Sequence, residues 1–143
     1  METGGILIGR YSPWLDRAIV TEATPPPRDS EYEPATFFRG IAGLTKLLER
    51  RWRSRSFYVG EWHFHPFASA RPSPRDLAQM RAFAADPRYR CSRPILIVLG
   101  GDPESDWTME VRVVGTAVIR LTESRSSDGI AIRQAKPLER TSP

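Results

Sequence analysis

The chain contains two histidines, His63 and His65, and both lie in residues 57–65, which alternate in the manner of a strand. A period of two places both imidazoles on one face, close enough to share one metal ion. Asp76 follows after ten intervening residues, and the turn between them can return its carboxylate to the same point. Two imidazoles, one carboxylate and an open fourth position predict a catalytic zinc site. Zinc in such a site lowers the pKa of its water to about 7.

Ser73 precedes this aspartate in the sequence Ser-Pro-Arg-Asp. The serine suits a helix N-cap and the proline suits the first helical position, so Asp76 is predicted on the first turn of a helix. The same residues also form an ordinary capping box that needs no further role. A histidine pair on a strand can likewise be two ordinary polar side chains. The joint spacing of both histidines, the serine and the aspartate favours the metal site.

Other apolar segments predict the strands that must hold this site. Residues 4–9 (GGILIG) and 18–20 (AIV) predict two strands joined by a polar turn at residues 12–16. Residues 94–99 (PILIVL) predict a strand buried on both faces, and residues 109–121 predict the last long strand or a hairpin. Residues 24–34 contain four prolines and predict a loop.

Two amphipathic helices are predicted between these strands. The first spans residues 37–52, where apolar residues recur at three- and four-residue steps: Phe37, Phe38, Ile41, Leu44, Leu48 and Trp52. The second begins at Ser73 and ends at Pro87. The fold class is therefore α/β, an α+β sandwich with a mixed sheet flanked by helices. Residues 1–122 are predicted to form one domain, and residues 123–143 a weakly ordered polar tail.

Composition sets the broad class of protein. The chain has 143 residues, 40% of them apolar, which suffices for one domain with a buried core. No apolar run approaches the roughly 20 residues of a membrane helix, and a net charge of +4 is too small to indicate nucleic-acid binding. A single cysteine, Cys91, excludes an internal disulfide framework. With no secretory signal at the N-terminus, these features favour a cytoplasmic protein.

The segment HFHPFASARPSPRD fits the pattern H-x-H-P-x6-S-x-x-D at every defined position, and ETGGILIG fits E-x-G-G-x-L-x-G. Together they resemble the JAMM motif of MPN (JAB-domain) metalloproteases. Residues 60–66, residues 87–101 and the small size are most similar to the bacterial branch, which includes the deconjugating enzymes of CBASS-type antiphage operons. The resemblance implies an MPN/JAB-like sheet related to the cytidine-deaminase architecture.

The resemblance also implies a role for each matching residue. His63, His65 and Asp76 match the ligands of one zinc ion per chain. Ser73 matches the serine that stabilises the oxyanion, and Glu2 matches the general base that moves a proton from water to the leaving amine. These roles suit metal-assisted hydrolysis of an amide.

Two further charged residues have open roles. Glu61 lies on the predicted histidine face, where it is either an outer-shell group or a substitute base; the glycine-rich match favours Glu2 as the base. Arg39 either contacts an acidic substrate tail or lies on a helix surface. Trp62 and Phe64 face away from the histidines and are predicted to be core.

The leading prediction is a zinc isopeptidase or peptidase that cleaves after the C-terminal tail of a ubiquitin-like protein. Ubiquitin-transfer-like enzymes of the same operon are the expected partners. The alternatives are a noncatalytic MPN scaffold that binds protein partners, processing of a sulfur-carrier protein, and a basic nucleic-acid-binding domain. A zinc nucleoside deaminase is disfavoured because the chain lacks P-C-x-x-C.

Overall fold

A computed structural model describes residues 1–13, 17–126 and 129–134 of the chain. Within these ranges the helices are α1 (Leu44–Arg53) and α2 (Pro74–Ala85). The strands are β1 (Thr3–Tyr11), β2 (Ala18–Ala23), β3 (Glu31–Glu33), β4 (Thr36–Phe38), β5 (Phe57–Pro66), β6 (Ile95–Gly101), β7 (Trp107–Val114), β8 (Val118–Ser126) and β9 (Gly129–Gln134). No helix in the described ranges is long and apolar enough to cross a membrane.

Seven of these strands form one mixed sheet in the order β2-β1-β5-β6-β7-β8-β9, and β3 pairs only with β4 in a second sheet. Strands β5 and β6 are parallel, so the chain must cross over between them, and this connection contains α2. The other neighbouring strands are antiparallel. The predicted mixed sheet with flanking helices is confirmed.

A β-bulge in β5 decides which side chains share a face. Leu7 pairs with Gly60 and the next residue of β1, Ile8, pairs with Tyr58, so Val59 is an extra residue in β5. Tyr58 consequently packs on the face of Ile8, and Val59 packs on the opposite face. The predicted alternation is therefore wrong for residues 57–59, although it holds beyond the bulge.

Both helices pack on one face of the seven-stranded sheet. Helix α2 contributes Met80 to a core cluster with Leu96 and Val98, and α1 covers a second cluster around Ile6. Paired residues on neighbouring strands share a face, and the register aligns Ile6, Glu61 and Leu96, which puts these two clusters on the same side. A third cluster, on the opposite face, consists only of strand residues. Strand β6 thus packs on both faces, as predicted.

Three predicted segments differ from the structure. The first helix begins at Leu44 rather than at residue 37, because Phe37 and Phe38 belong to β4. The predicted loop at residues 24–34 includes the short strand β3, and residues 129–134 of the predicted tail form β9. Residues 14–16 of the predicted turn and residues 127–128 and 135–143 of the tail lie outside the described ranges. The domain boundary at residue 122 stays a prediction.

Candidate metal centre

Strand β5 and helix α2 bring the three predicted ligands together. Beyond the bulge, β5 pairs with β1 in regular register, so His63 and His65 point to the helix-covered face. Ser73 is the N-cap of α2 and Asp76 lies in its first turn, as predicted. All three predicted ligands are buried, with exposed fractions of 4% for His63, 6% for His65 and 8% for Asp76.

The distances within this group suit a single cation. One ligand atom from each of the three residues lies within 4.8 Å of the other two. His63 Nδ1 lies 3.1 Å from Asp76 Oδ1, and His65 Nε2 lies 3.5 Å from Asp76 Oδ2. Each carboxylate oxygen therefore faces a different imidazole, and the donor set of two nitrogens and one carboxylate matches a catalytic zinc site.

One buried atom tests whether these residues fit a metal. His65 Nε2 is buried without a hydrogen-bond partner among the described residues. The other ring nitrogen, Nδ1, lies 3.3 Å from the main-chain oxygen of Ser69, which fixes the orientation of the ring when Nδ1 carries the hydrogen. An unpartnered buried nitrogen is costly unless it binds something. The residues present therefore fit a divalent cation.

The electrostatics of the group also suit a cation. Burial works against ionisation of Asp76, but the imidazoles of His63 and His65 and the Ser73 amide outweigh it and hold the pKa of Asp76 well below its usual range. The Asp76 carboxylate in turn raises the pKa of His65. The carboxylate is thus ionised at neutral pH, as a metal ligand must be.

Ser73 caps the helix through both of its polar groups. Its hydroxyl oxygen accepts the Asp76 amide hydrogen at 3.1 Å, and its own amide donates to Asp76 Oδ2 at 2.7 Å. The capping box is therefore present, as the sequence allows. A hydroxyl that accepts one hydrogen bond still has a hydrogen to donate, and Ser73 lines the same cleft as Asp76. Capping the helix leaves the hydroxyl able to donate to a substrate.

Glu2 lies at the edge of the same cleft. Thr3 pairs with Phe64 and Gly4 with His63, so continuing this register by one residue sets Glu2 opposite His65. Glu2 is half-buried, lines the cleft with Ser73 and Asp76, and acts with Asp76 to raise the pKa of His65. The carboxylate is therefore close to the three predicted ligands but is not one of them.

Gly4 allows three elements to meet beside His63. A Cβ at this position would lie 2.8 Å from His63 Cδ2 and 3.0 Å from Phe37 Cε1, and it would overlap the main-chain oxygen of Trp62. The glycine is thus required for the close approach of β1 to β5 and β4, rather than for an unusual backbone conformation.

The structure excludes Glu61 as a substitute base. Its side chain is 1% exposed, Oε2 accepts from Arg39 Nε at 2.7 Å, and Oε1 accepts from the Tyr58 hydroxyl at 2.8 Å. Burial raises the pKa of Glu61, while Arg39 and Tyr58 act in the opposite direction. Arg39 is itself buried, in the connection between β4 and α1, so both predicted surface roles for this arginine are wrong. Trp62 and Phe64 are both half-buried, and Trp62 packs against the third core cluster, as predicted.

Comparison with known proteins assigns the family. The sequence profile of the prokaryotic homologs of the JAB domain matches residues 1–112, which include all the predicted site residues. The chain belongs to this family.

Two relatives of this JAB domain carry functional names. A "CD-NTase/cGAS isopeptidase" from Enterobacter hormaechei subsp. hoffmannii (strain UCI 50) is 48% identical over 124 residues, covering 85% of this chain and 69% of that protein. A "Probable metalloprotease y4qB" from Sinorhizobium fredii (strain NBRC 101917 / NGR234) is 29% identical over 109 residues, covering 73% of this chain and 66% of that protein. The chain therefore spans about two thirds of the length of each relative.

A solved structure shares the fold. The solution structure of protein DSY2949 from Desulfitobacterium hafniense superposes with a TM-score of 0.53 at 16% identity, covering 98% of this chain and 82% of that chain. At this level of identity the likeness extends to the fold alone.

The cleft of this JAB domain has a wall that sequence reasoning missed. The hairpin of β3 and β4 contributes Ala35, Thr36, Phe37 and Phe38 to the cleft, opposite residues of α2. This hairpin was not predicted because Phe37 and Phe38 continue the three- and four-residue spacing of the following helix. Pro34-Ala35, which joins the two strands, is not a typical hairpin dipeptide, so the local sequence carried no clear signal for this turn.

Proposed function

We propose that this chain is a zinc-dependent isopeptidase that cleaves after the C-terminal tail of a ubiquitin-like protein. The observation that carries the proposal is the buried trio of His63, His65 and Asp76, with the unpartnered His65 Nε2. Its aspartate lines one cleft with Glu2 and Ser73. Membership of the JAB-domain family and relatives named as an isopeptidase and a metalloprotease support hydrolysis that depends on a metal.

His63, His65 and Asp76 would hold the zinc ion. When bound, zinc supplies Lewis acidity, which polarises the scissile carbonyl and makes water a stronger acid. The hydrogen bond available from His65 Nδ1 to the Ser69 oxygen fixes the ring, and Nε2 would then be the nitrogen that binds the ion. The very low pKa of Asp76 keeps a negative charge beside the two imidazoles. These residues would position the ion and hold it at neutral pH.

Glu2 is the proposed general base. Its carboxylate takes a proton from water as the water oxygen forms a bond to the carbonyl carbon, and it then delivers that proton to the departing amine. The carbon–nitrogen bond breaks, giving a carboxylate and an amine. Support for this role comes from the position of Glu2 at the cleft, close to His65 but outside the predicted ligand set.

Ser73 is the proposed oxyanion donor. Its hydroxyl oxygen is held by the Asp76 amide, and its hydrogen is available for the carbonyl oxygen as negative charge develops there. Because the same hydrogen bond caps α2, the hydroxyl is fixed before substrate arrives. Such preorganisation is what gives an oxyanion donor its effect on rate.

The proposed substrate class is supported by the relative that is 48% identical and is named "CD-NTase/cGAS isopeptidase". We propose conjugates between a ubiquitin-like protein and an enzyme of that type as the target. The ubiquitin-transfer-like enzymes that make such conjugates are the proposed partners, in the cytoplasm.

The test uses the zinc-loaded chain and a ubiquitin-like protein fused at its C-terminus to a reporter peptide. Cleavage at the junction is expected for the wild type and for Asp86→Asn, a carboxylate change at the far end of α2, but not for Asp76→Asn. Equal cleavage by both variants would contradict the mechanism.

Tight binding of the fusion with no cleavage by the zinc-loaded wild type would instead support a noncatalytic scaffold. Cleavage of a capped sulfur-carrier protein in preference to the ubiquitin-like fusion would instead identify sulfur-carrier proteins as the substrate class.

A further inference from the structure

The β3–β4 hairpin forms one wall of the cleft but is too small to hold its own position. Each strand has three residues, and within the part of the chain that the structure describes the two strands pair only with each other. An isolated two-stranded hairpin is marginal in water. The position of this wall must therefore depend on contacts that join it to the rest of the domain.

The segment that carries the hairpin is attached to the sheet at both ends. At its start, the Thr24 hydroxyl accepts from the Ile6 amide at 3.0 Å, and the Thr24 oxygen accepts from Trp62 Nε1 at 2.8 Å. At its end, Arg39 follows the last residue of β4 and enters the core. An exposed arginine on α2, Arg75, adds a third contact by donating to Thr36 Oγ1 at 3.2 Å.

Arg39 occupies what we call the arginine socket, formed by Tyr58, Glu61, Phe83 and Tyr89. Nε donates to Glu61 Oε2 at 2.7 Å, and Nη2 donates to the Tyr89 hydroxyl at 2.8 Å. The guanidinium carbon lies 4.9 Å from the ring centre of Phe83. Nη1 donates to the oxygen of Gly40 at 2.7 Å, so all three guanidinium nitrogens have partners.

The burial of this ion pair indicates positioning more than stabilisation. The side chains of Arg39 and Glu61 are each 1% exposed, and removing two charges from water offsets much of their attraction. The guanidinium is planar and its N–H donors point in fixed directions, so its hydrogen-bond acceptors must lie at defined positions around it. The socket therefore suits a device that fixes where the chain leaves β4.

We propose that Arg39 is a positioning residue that holds the β3–β4 hairpin over the candidate metal centre and thereby sets substrate affinity. The hairpin meets the centre at Phe37, whose ring contacts that of His63 edge-on at 6.1 Å between centroids. The statement that Arg39 sets substrate affinity rests on the proposed function. The statement that Arg39 holds the hairpin does not.

The first test measures amide hydrogen exchange in Arg39→Met/Glu61→Gln, which carries no unpaired buried charge. The control is Arg88→Met/Asp86→Asn, which removes an arginine–aspartate pair whose arginine side chain is 86% exposed. Exchange in residues 31–38 is expected to quicken about 10- to 100-fold in the first variant, with β6 unchanged. Unchanged exchange in residues 31–38, in a variant whose β6 amides remain protected, would overturn the proposal.

The second test separates KM from kcat with the reporter fusion. Arg39→Met/Glu61→Gln is expected to raise KM about 10-fold or more while zinc content and kcat stay within about threefold of wild type. Arg39→Lys keeps the charge but loses the planar set of donors. Its KM should therefore lie between that of the wild type and that of Arg39→Met/Glu61→Gln. A fall in kcat with KM unchanged would overturn the substrate part of the proposal.

The two proposals fail in different ways. If the wild type cleaves nothing, the proposed function fails, yet the exchange measurement still decides whether Arg39 holds the hairpin. If the wild type cleaves and the exchange of residues 31–38 is unaffected, only the positioning role fails.

Discussion

Two buried clusters lie side by side on β5, and they differ in how completely their polar atoms are paired. In the arginine socket, both oxygens of Glu61 and all three nitrogens of Arg39 have protein partners. In the candidate metal centre, His65 Nε2 is buried with none among the described residues. The first cluster is closed and the second is open.

This difference teaches how one strand can carry both structure and chemistry. In a closed cluster, every polar atom named above already has a protein partner. Such a cluster joins elements of the fold and leaves no unpaired atom to bind a ligand. An open one has a desolvation cost that a cation removes. Glu61 and Asp76 are both buried carboxylates that interact with His63, and burial works against ionisation of each. Burial prevails for Glu61 and raises its pKa, whereas the two imidazoles and the Ser73 amide together outweigh burial for Asp76 and lower its pKa.

The largest expected effect breaks the open cluster. Asp76→Asn should reduce zinc from near one per chain to near none, because it removes the charged ligand. Cleavage should fall by more than the 10- to 100-fold typical of an outer-shell change. Metal analysis and initial rates measure both. Asp86→Asn is the matched control, and zinc retained in Asp76→Asn would disprove the assignment of this ligand.

Glu2→Gln should slow hydrolysis at the open cluster without removing its zinc. Loss of the general base is expected to lower kcat about 10²- to 10⁴-fold with zinc content unchanged. Glu104→Gln, a change at an exposed carboxylate, should leave kcat at the wild-type value. If Glu2→Gln lost its zinc, Glu2 would be a ligand rather than the base.

Ser73 belongs to the open cluster and to the helix cap, and two substitutions separate these roles. Ser73→Ala and Ser73→Gly should both lower kcat about 10²- to 10³-fold, because both remove the hydroxyl donor. In urea unfolding, alanine should cost about 1 kcal/mol and glycine only a few tenths. A loss of rate that follows stability instead would assign Ser73 to the cap alone.

Zinc itself should stabilise the open cluster. At a zinc concentration 100 times its Kd, the free energy of unfolding should rise by about 2.7 kcal/mol through mass action. Thermal unfolding with and without chelator measures this difference. His65→Ala should remove the shift; an equal shift in that variant would mean that zinc binds elsewhere.

The smallest expected effect tests the closed cluster. Tyr89→Phe removes the hydroxyl that accepts from Arg39 Nη2 and should cost about 1–3 kcal/mol of unfolding free energy. Zinc content should not change. Tyr32→Phe, at an exposed tyrosine, should have little effect on stability. A loss of zinc in Tyr89→Phe would show that the two clusters are not separate.

Local rules explain what could be predicted from the sequence. A strand period of two aligns His63 with His65, and a serine–proline start places Asp76 on the first turn of α2. Both depend on neighbours within a few residues. The buried strand β6 and the helix-flanked mixed sheet are likewise confirmed.

Long-range contacts explain what could not be predicted. The bulge at Val59 exists only in the pairing of β5 with β1, and it moves Tyr58 to the face of Glu61. Arg39 looked like a surface residue because its partners come from β5, α2 and the connection before β6. Phe37 continued the helical spacing by coincidence while packing against His63.

The serine and the aspartate of the centre have a second task that the histidines lack. Ser73 and Asp76 satisfy main-chain amides at the start of α2 whether or not a metal is present. Helix stability alone would preserve this pair in a relative that had lost its activity. His65 Nε2 is buried with no hydrogen-bond partner among the described residues, and a bound cation relieves that cost. When further sequences of this kind are sorted into active and inactive members, the histidine pair is the sensitive marker, and the serine–aspartate spacing reports on the helix.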